Sequence, residues 1–335
     1  MSEIIKNRSE IVFLYDIKDA NPNGDPMDEN KPRIDEETGV NIVTDVRLKR
    51  TIRDYFLALI EQEDDRLKGQ DVFIKELRDE KGYLYDGKRR AKDFQTKTGT
   101  FAEMKKALTE EVCKKCLDIR MFGGMMPFEF EIGTKKEKGA VHLIGPIQFR
   151  MGRSLHRVNI KFIKGTGAFA SDYPGTTQFT FREEYILPYS LISFYGIVNE
   201  NAAETTSLKE TDVDLLMEGI WTGTKNLITR SKIGQIPRIL LRVIYSKNNF
   251  HIGDLDTKFE PIFKKNDTEL RDISEIELNV GELVETLVNN KDSIKKIQIR
   301  IDDDVKFILP EEKKGGSKEL QDILKKHFEV EELTL

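Results

Sequence analysis

No stretch of this sequence strings together the ~20 apolar residues that a membrane-crossing helix needs, and its mean hydropathy is -0.49. The opening MSEIIKNRSE has no apolar leader segment, so a cytoplasmic protein with no membrane partner is expected. Cysteine is nearly missing: Cys113 and Cys116 are the only two. They form C-x-x-C, but no second pair and no H-x-x-x-H completes the four ligands of a structural zinc site. His142, His156, His251 and His327 are scattered. Ordinary reduced thiols inside a helix, no metal and no cofactor are the expectation. Familiar catalytic orders are absent as well: there is no Ser-His-Asp series, H-E-x-x-H or dinucleotide fingerprint. An excess of positive charge is also lacking. Lys and Arg number 54 against 59 Asp and Glu, leaving a net charge of -5 and a pI near 5.7. This excludes a uniformly basic nucleic-acid coat but not a local cationic surface.

What is present is a 335-residue chain, 38% hydrophobic and 34% charged, enough for one large domain with insertions or for two domains. Residues 8–17 form a run of strand formers that suits a strand covered on both faces. A turn-rich stretch, DANPNGDP, leads the chain out of the sheet. Residues 44–60 predict a helix with Thr44 as N-cap and Asp45 in its first turn. Leu48, Ile52, Tyr55, Phe56 and Leu59 share one face, so Arg47, Lys49, Arg50 and Arg53 should point outward. Residues 61–100 suggest an insertion of short elements, with a possible hairpin at 83–89. A helix is expected at 101–117 and short strands at 118–122, 140–151 and 158–163. The glycine-rich tip at 165–175 and returning strands at 178–187 and 191–198 suggest a protruding ribbon. A helix at 212–229, a strand at 236–245, a flexible linker after Pro310 and a short final helix complete the reading. The pattern is compatible with an α+β, ferredoxin-like or RRM-like sheet carrying insertions.

Several features could grip a polyanion. The cations of the first helix come at the spacing phosphates need. The loop from Asn21 to Pro26 offers Asn21 and Asn23 as hydrogen-bonding groups, with Gly24 permitting close backbone approach. The ribbon carries Arg150, Arg153, Arg157, Lys161 and Lys164, interleaved with Phe149, Phe162 and Phe169, a mixture able to hold a backbone and stack on bases. Phe149 reads as core. Thr229 to Gln235 exposes Arg230 and Lys232. Asp25, Asp28 and Asp35 occupy the loop after the first strand, where a hydrolytic carboxylate could sit, although turn formers and loop solubilisers are the better reading.

The set I-x-D-A-N-P-N-G-D-P (Ile17 to Pro26) with T-D-V-R-L-K-R-T-I-R-D (Thr44 to Asp54) resembles the Cas-seven family, particularly its type I-B members. Agreeing blocks follow in order: D-I-R-M-F-G-G from Asp118, G-P-I-Q-F from Gly145, I-L-P-Y-S-L from Ile186 and S-K-I-G-Q-I-P-R-I-L-L from Ser231. The likeness spans roughly residues 8–245. It implies a hand-shaped domain over residues 1–310, with an RRM-like palm, fingers inserted near 61–100 and a β-ribbon thumb near 157–182. Its tip would lie near 163–175, including Ile163 and Phe169. Residues 311–335 would be a linker and short helix, and the part after about 250 has no counterpart. The resemblance further implies a non-catalytic CRISPR subunit stacked head to tail with copies of itself along the guide crRNA, as a helical filament. Lys49, Arg50 and Arg53 would hold the RNA backbone, with Asn21, Asn23 and Gly24 beside it. Exposed bases would pair with the target DNA strand in antiviral defence. A Cas-five-like subunit, a large subunit and a small subunit would complete the Cascade ribonucleoprotein, which then recruits a separate helicase-nuclease. Related type III subunits cut target RNA with a loop aspartate, which makes a metal-dependent RNA endonuclease the alternative. An unrelated RRM-like protein is disfavoured, since the RRM aromatic platform motif is missing.

Overall fold

The computed structural model describes residues 3–95, 99–132, 135–170 and 179–335, with the side chains of 131, 132, 135, 166–170 and 179–182 outside that description. At its centre is β1 (Ser9–Ala20), the expected doubly covered strand. Period-two alternation sends its side chains to opposite faces. Ile11, Phe13, Tyr15 and Ile17 enter one core, and Val12 and Leu14 enter the other. Two such cores explain why the sequence shows a continuous apolar run instead of an alternation.

β1 is followed by a two-residue hairpin, β2 (Gly24–Asp25) and β3 (Lys31–Pro32), then by β4 (Val40–Val43). The first helix, α1 (Asp45–Glu61), starts where expected: Thr44 is extended and its hydroxyl accepts from the Arg47 amide. Leu48, Ile52, Phe56 and Leu59 are buried against the sheet. The expected hairpin at 83–89 does not form. A single bridge joins Arg78 to Leu84, and Asp86 instead caps α2 (Gly87–Lys92). After α3 (Phe101–Lys115), residues 118–122 are not a strand but part of α4 (Leu117–Phe122). Every residue of α4 is buried, so its short run carries no readable period. A hairpin of β5 (Gly123–Ile132) and β6 (Lys135–Ile144) packs with α2 and α3 around a third cluster that includes Phe73, Phe94, Leu108, Phe128 and Val141.

The expected strand at 140–151 is divided at Gly145–Pro146, giving the end of β6 and then β7 (Ile147–Phe149). A Cβ on Gly145 would stand 2.0 Å from the Phe122 carbonyl carbon, so only glycine fits there. β8 (Gly152–Arg157) and β9 (Lys161–Ala170) replace the strand expected at 158–163. The two returning strands are one, β10 (Phe179–Val198). β9 pairs with the outer half of β10 as a ribbon, and the inner half pairs with β1. α5 (Glu200–Thr206) precedes α6 (Glu210–Lys225), which stops short of Thr229 and leaves 226–235 as a loop before β11 (Ile236–Tyr245).

The remaining chain adds β12 (Glu260–Phe263), β13 (Ile276–Asn279), α7 (Gly281–Asn289), β14 (Ile294–Ile301), β15 (Phe307–Ile308), β16 (Lys314–Gly315), α8 (Ser317–Lys325) and β17 (Val330–Glu332). β12, β13, β15 and β16 form a small sheet over the second core. The main sheet runs β17-β14-β11-β1-β10-β8-β4, with β7 and β9 also on β10. The stretch expected to be a flexible linker contains β16, and β17 returns to pair with β14. The fold is thus mixed α+β around one large sheet.

Candidate nucleic-acid interface

Three separate segments meet at the end of the sheet where β1 stops and β11 begins. The first is the loop Asn21–Gly24. The second is the start of α1. The third is the 226–235 loop. Asn23 joins the first two, because its Oδ1 accepts from both the Thr44 amide and the Thr44 hydroxyl, each at 2.9 Å. Asn21 joins the first and third, its amide donating to the Ser231 carbonyl at 2.8 Å. Its Nδ2 donates to the Asn30 carbonyl at 2.7 Å. Gly24 is required by close packing: a Cβ there would lie 2.1 Å from Asn30 Oδ1.

Arg47 and Lys232 belong to two of the segments that form this notch, near enough for the Arg47 charge to act on Lys232. Arg47 Nη2 donates to Thr51 Oγ1 at 3.0 Å, and its nearest acid, Asp54, is 3.9 Å away. Lys232 Nζ donates to Ser231 Oγ at 3.2 Å, and no carboxylate pairs with it among the described residues. Burial lowers the pKa of Lys232, and the Arg47 charge lowers it further. Burial likewise lowers Arg47, partly opposed by Asp54. Asn21 Oδ1, Arg33 Nε and Arg47 Nε are buried without a partner. The unpartnered donors Arg33 Nε and Arg47 Nε, beside a Lys232 that no carboxylate offsets, could take an anion, whereas Asn21 Oδ1 is an acceptor and needs a donor such as a hydroxyl.

The cation stripe of α1 is only partly outward. Arg50 is exposed and pairs with Asp54 at 2.7 Å. Lys49 is half-buried, bonded to Asp45 at 2.9 Å and lying 5.6 Å from the Phe122 ring centre. Arg53 does not point outward: it is 7% exposed and pairs with fully buried Asp118 at 2.9 Å. Asp118 also accepts from the Phe73 and Ile74 amides, so Arg53 serves packing between α1 and α4.

The ribbon is real but carries fewer of the expected cations. Lys161 and Lys164 lie on it. Arg150, Arg153 and Arg157 lie outside it, because the chain first runs through β8. Arg150 pairs with Asp254 and Asp256, Arg153 with Asp35 at 2.9 Å, and Arg157 with Asp267 at 2.8 Å. Ile163 stands opposite Glu184, near the ribbon's root and not at its tip. Phe149 is core, as expected, and Phe162 is exposed. The Phe169 side chain and the tip residues 171–178 fall outside the described residues. Arg230 is exposed, 4.0 Å from Glu184. Sequence reading missed Arg33, whose signal was only a cation in the polar loop, and Tyr185, which bonds Glu29 at the ribbon's root.

The loop aspartates are each matched to a cation: Asp25 with Arg33 at 2.6 Å, Asp28 with Lys31 at 2.7 Å, and Asp35 with Arg153. The Arg153 hydrogen bond holds the Asp35 carboxyl below its ordinary range. Cys113 and Cys116 are buried free thiols, and burial pushes Cys113 up to about 11. A cavity of about 730 Å³ that shares no lining residue with the notch lies among α3, α4 and α6, with Arg120 and Asp212 in its wall. An open groove for a strand need not be the most enclosed space, so the notch, not that cavity, carries the functional reading. No helix of the described residues is long and apolar enough to cross a membrane.

The chain is thus a mixed α+β protein with a cationic notch at one sheet end and a β-ribbon beside it. The chain belongs to the CRISPR-associated protein Cas7 family, whose model matches residues 7–281. It is 33% identical over 309 residues to the CRISPR-associated protein Cas7 of Haloferax volcanii, covering 88% of this chain and 86% of that one. Its fold is similar to a solved chain described as "CRISPR RNA-guided surveillance complex, pre-nicking", with a TM-score of 0.51 and 11% identity, over 87% of this chain and 92% of that one. A chain of another "CRISPR RNA-guided surveillance complex" gives a TM-score of 0.50 at 11% identity, over 88% of each.

Proposed function

We propose that this chain is the non-catalytic, guide-RNA-binding backbone subunit of a type I-B surveillance complex. Copies stack head to tail on the crRNA, with a Cas-five-like subunit, a large subunit and a small subunit as partners, and leave bases free to pair with target DNA. The observation that carries this reading is the convergence of the Asn21–Gly24 loop, the start of α1 and the 226–235 loop, which brings the Arg47 charge to bear on Lys232, a half-buried lysine with no carboxylate partner among the described residues. Sequence-tolerant binding of a strand rests on such phosphate contacts. The order β11-β1-β10-β8, with β1 antiparallel to both neighbours, is the order of a ferredoxin-like sheet and supports an RRM-like palm. The β9–β10 ribbon supports a thumb, and the third apolar cluster supports inserted fingers. A heterologous contact that does not close on itself extends into a filament, which suits a linear RNA template.

The test is size analysis with and without single-stranded RNA, plus affinity across a salt series. The parent should form RNA-length-dependent oligomers. The double variant R47A/K232A should stay folded, bind less tightly and show a salt slope shallower by roughly 1.4, the value for two lost single-strand phosphate contacts. Unchanged affinity and slope would remove the notch from the interface. Labelled target RNA incubated with the assembled complex and Mg²⁺ should remain intact. Regular cuts abolished by D25N, D28N or D35N would replace the backbone reading with the endonuclease.

A further inference from the structure

We infer that Glu184 and Tyr185, neighbours at the root of the ribbon, close a ring of contacts that ties the ribbon's angle to the notch and relays occupancy of the notch to the ribbon.

The Tyr185 hydroxyl donates to Glu29 Oε2 at 2.8 Å. Lys31 Nζ lies 5.3 Å from the Tyr185 ring centre and 3.5 Å from the Glu29 carboxylate, and the Phe162 ring packs on Tyr185 at 5.0 Å. The β2–β3 hairpin is therefore fastened to the ribbon through one side chain. Glu184, the preceding residue, must point to the other face of the strand, and there Arg230 approaches it at 4.0 Å. So the β2–β3 hairpin, which continues the first loop of the notch, and the 226–235 loop hold the same strand from opposite faces.

The loops are also joined to each other. From Glu29 the chain passes to Asn30, whose carbonyl accepts from Asn21 Nδ2. The Asn21 amide donates to the Ser231 carbonyl, and Ser231 adjoins Arg230. The path Tyr185, Glu29, Asn30, Asn21, Ser231, Arg230, Glu184 thus returns to its start through hydrogen bonds, one ion pair and peptide bonds. Asn21 is a member of this ring and keeps its Oδ1 buried without a partner. Glu29 and Asn30 both adopt positive φ, 48° and 57°. Asparagine takes up this region readily and glutamate seldom does; the Asn30 amide bond to the Asp25 carbonyl holds the turn, and the Tyr185 contact adds to it at Glu29. A ligand that engages Asn21 or Lys232 consequently acts on a closed structure that includes the ribbon root. Tyr185 is a positioning residue and carries no charge to a phosphate.

The ligand arm of this inference rests on the guide-RNA reading above; the ring itself does not. The experiment is hydrogen exchange on the full chain, alone and with single-stranded RNA, for the parent, Y185F and E29A, the second of which removes the acceptor of the Tyr185 hydroxyl. Without RNA, exchange at 24–32 and 161–165 should rise by about tenfold in either variant, as expected when a local tether is lost. With RNA, the parent should gain protection at 161–165 as well as in both loops, whereas Y185F should gain it in the loops alone. Y185F should bind RNA a few-fold more weakly at an unaltered salt slope, since no phosphate contact is removed. Parent-like exchange at 24–32 in both variants overturns the ring. Equal RNA protection of 161–165 in parent and Y185F overturns the relay. A parent that binds no RNA defeats the guide-RNA reading instead, and the RNA-free exchange still judges the ring.

Discussion

A cation that is half-buried beside another cation is held at a cost until an anion arrives. Lys232 is in that position, its pKa lowered by burial and by Arg47. Replacing it with methionine removes the charge and keeps the stem. The RNA-free K232M protein is therefore expected to melt about 1–3 °C higher while losing about fivefold or more in RNA affinity, read by thermal denaturation and a binding titration. The pH dependence has a definite sign. Because the folded pKa lies below the unfolded one, the penalty is fully present below the folded pKa. It is relieved as pH rises through the folded pKa toward the unfolded value of about 10.4. An RNA phosphate pushes the pKa back up, so parent affinity should fall as pH climbs through that window, and K232M should lack this component.

At the scale of elements, α1 is both a packing helix and one wall of the notch, and its cations divide accordingly. Arg53 neutralises a carboxylate that two backbone amides also hold. R53A leaves Asp118 charged and buried, so a loss of about 3–5 kcal/mol in unfolding free energy is expected from urea titration. R50A removes only an exposed pair four residues apart and should cost about 0.5 kcal/mol or less. A variant that removed Lys49, Arg50 and Arg53 together would confuse unfolding with lost binding. The 3.6-residue pattern marked Arg53 as outward because the buried face of α1 was inferred from the sheet alone. Besides α6, helix α4 reaches that flank through Asp118 and Phe122, and the sequence pattern shows α4 as a strand.

At the scale of the whole molecule, the last segment completes both cores. Leu333 joins the core that contains α1 and α6, and Leu320 and Leu324 join the other. β17 adds a parallel strand to β14. Deleting residues 311–335 uncovers these groups and should cost about 5 kcal/mol at the usual values for buried leucines, seen as a lower denaturation midpoint or loss of cooperative unfolding. The Cas7 family match ends at residue 281, so these C-terminal contacts lie beyond the part the family model describes.

β1, α1 and β11 were legible in the sequence because each is specified locally: an apolar run between turn formers, a 3.6-residue stripe behind a threonine cap, and a run of strand formers. The three notch segments were also legible as candidates, since asparagine, glycine, arginine and lysine in loops advertise themselves. Their assembly was not. Asp118 meets Arg53 across 65 residues, Glu29 meets Tyr185 across 156, and Arg150 and Arg157 meet acids that sequence reading left without a role, while Arg153 meets Asp35, which it had marked for another one. Sequence periodicity reports which side of an element faces a core. Only the packed chain decides which charge meets which, because a partner's distance along the chain carries no information about its distance in space.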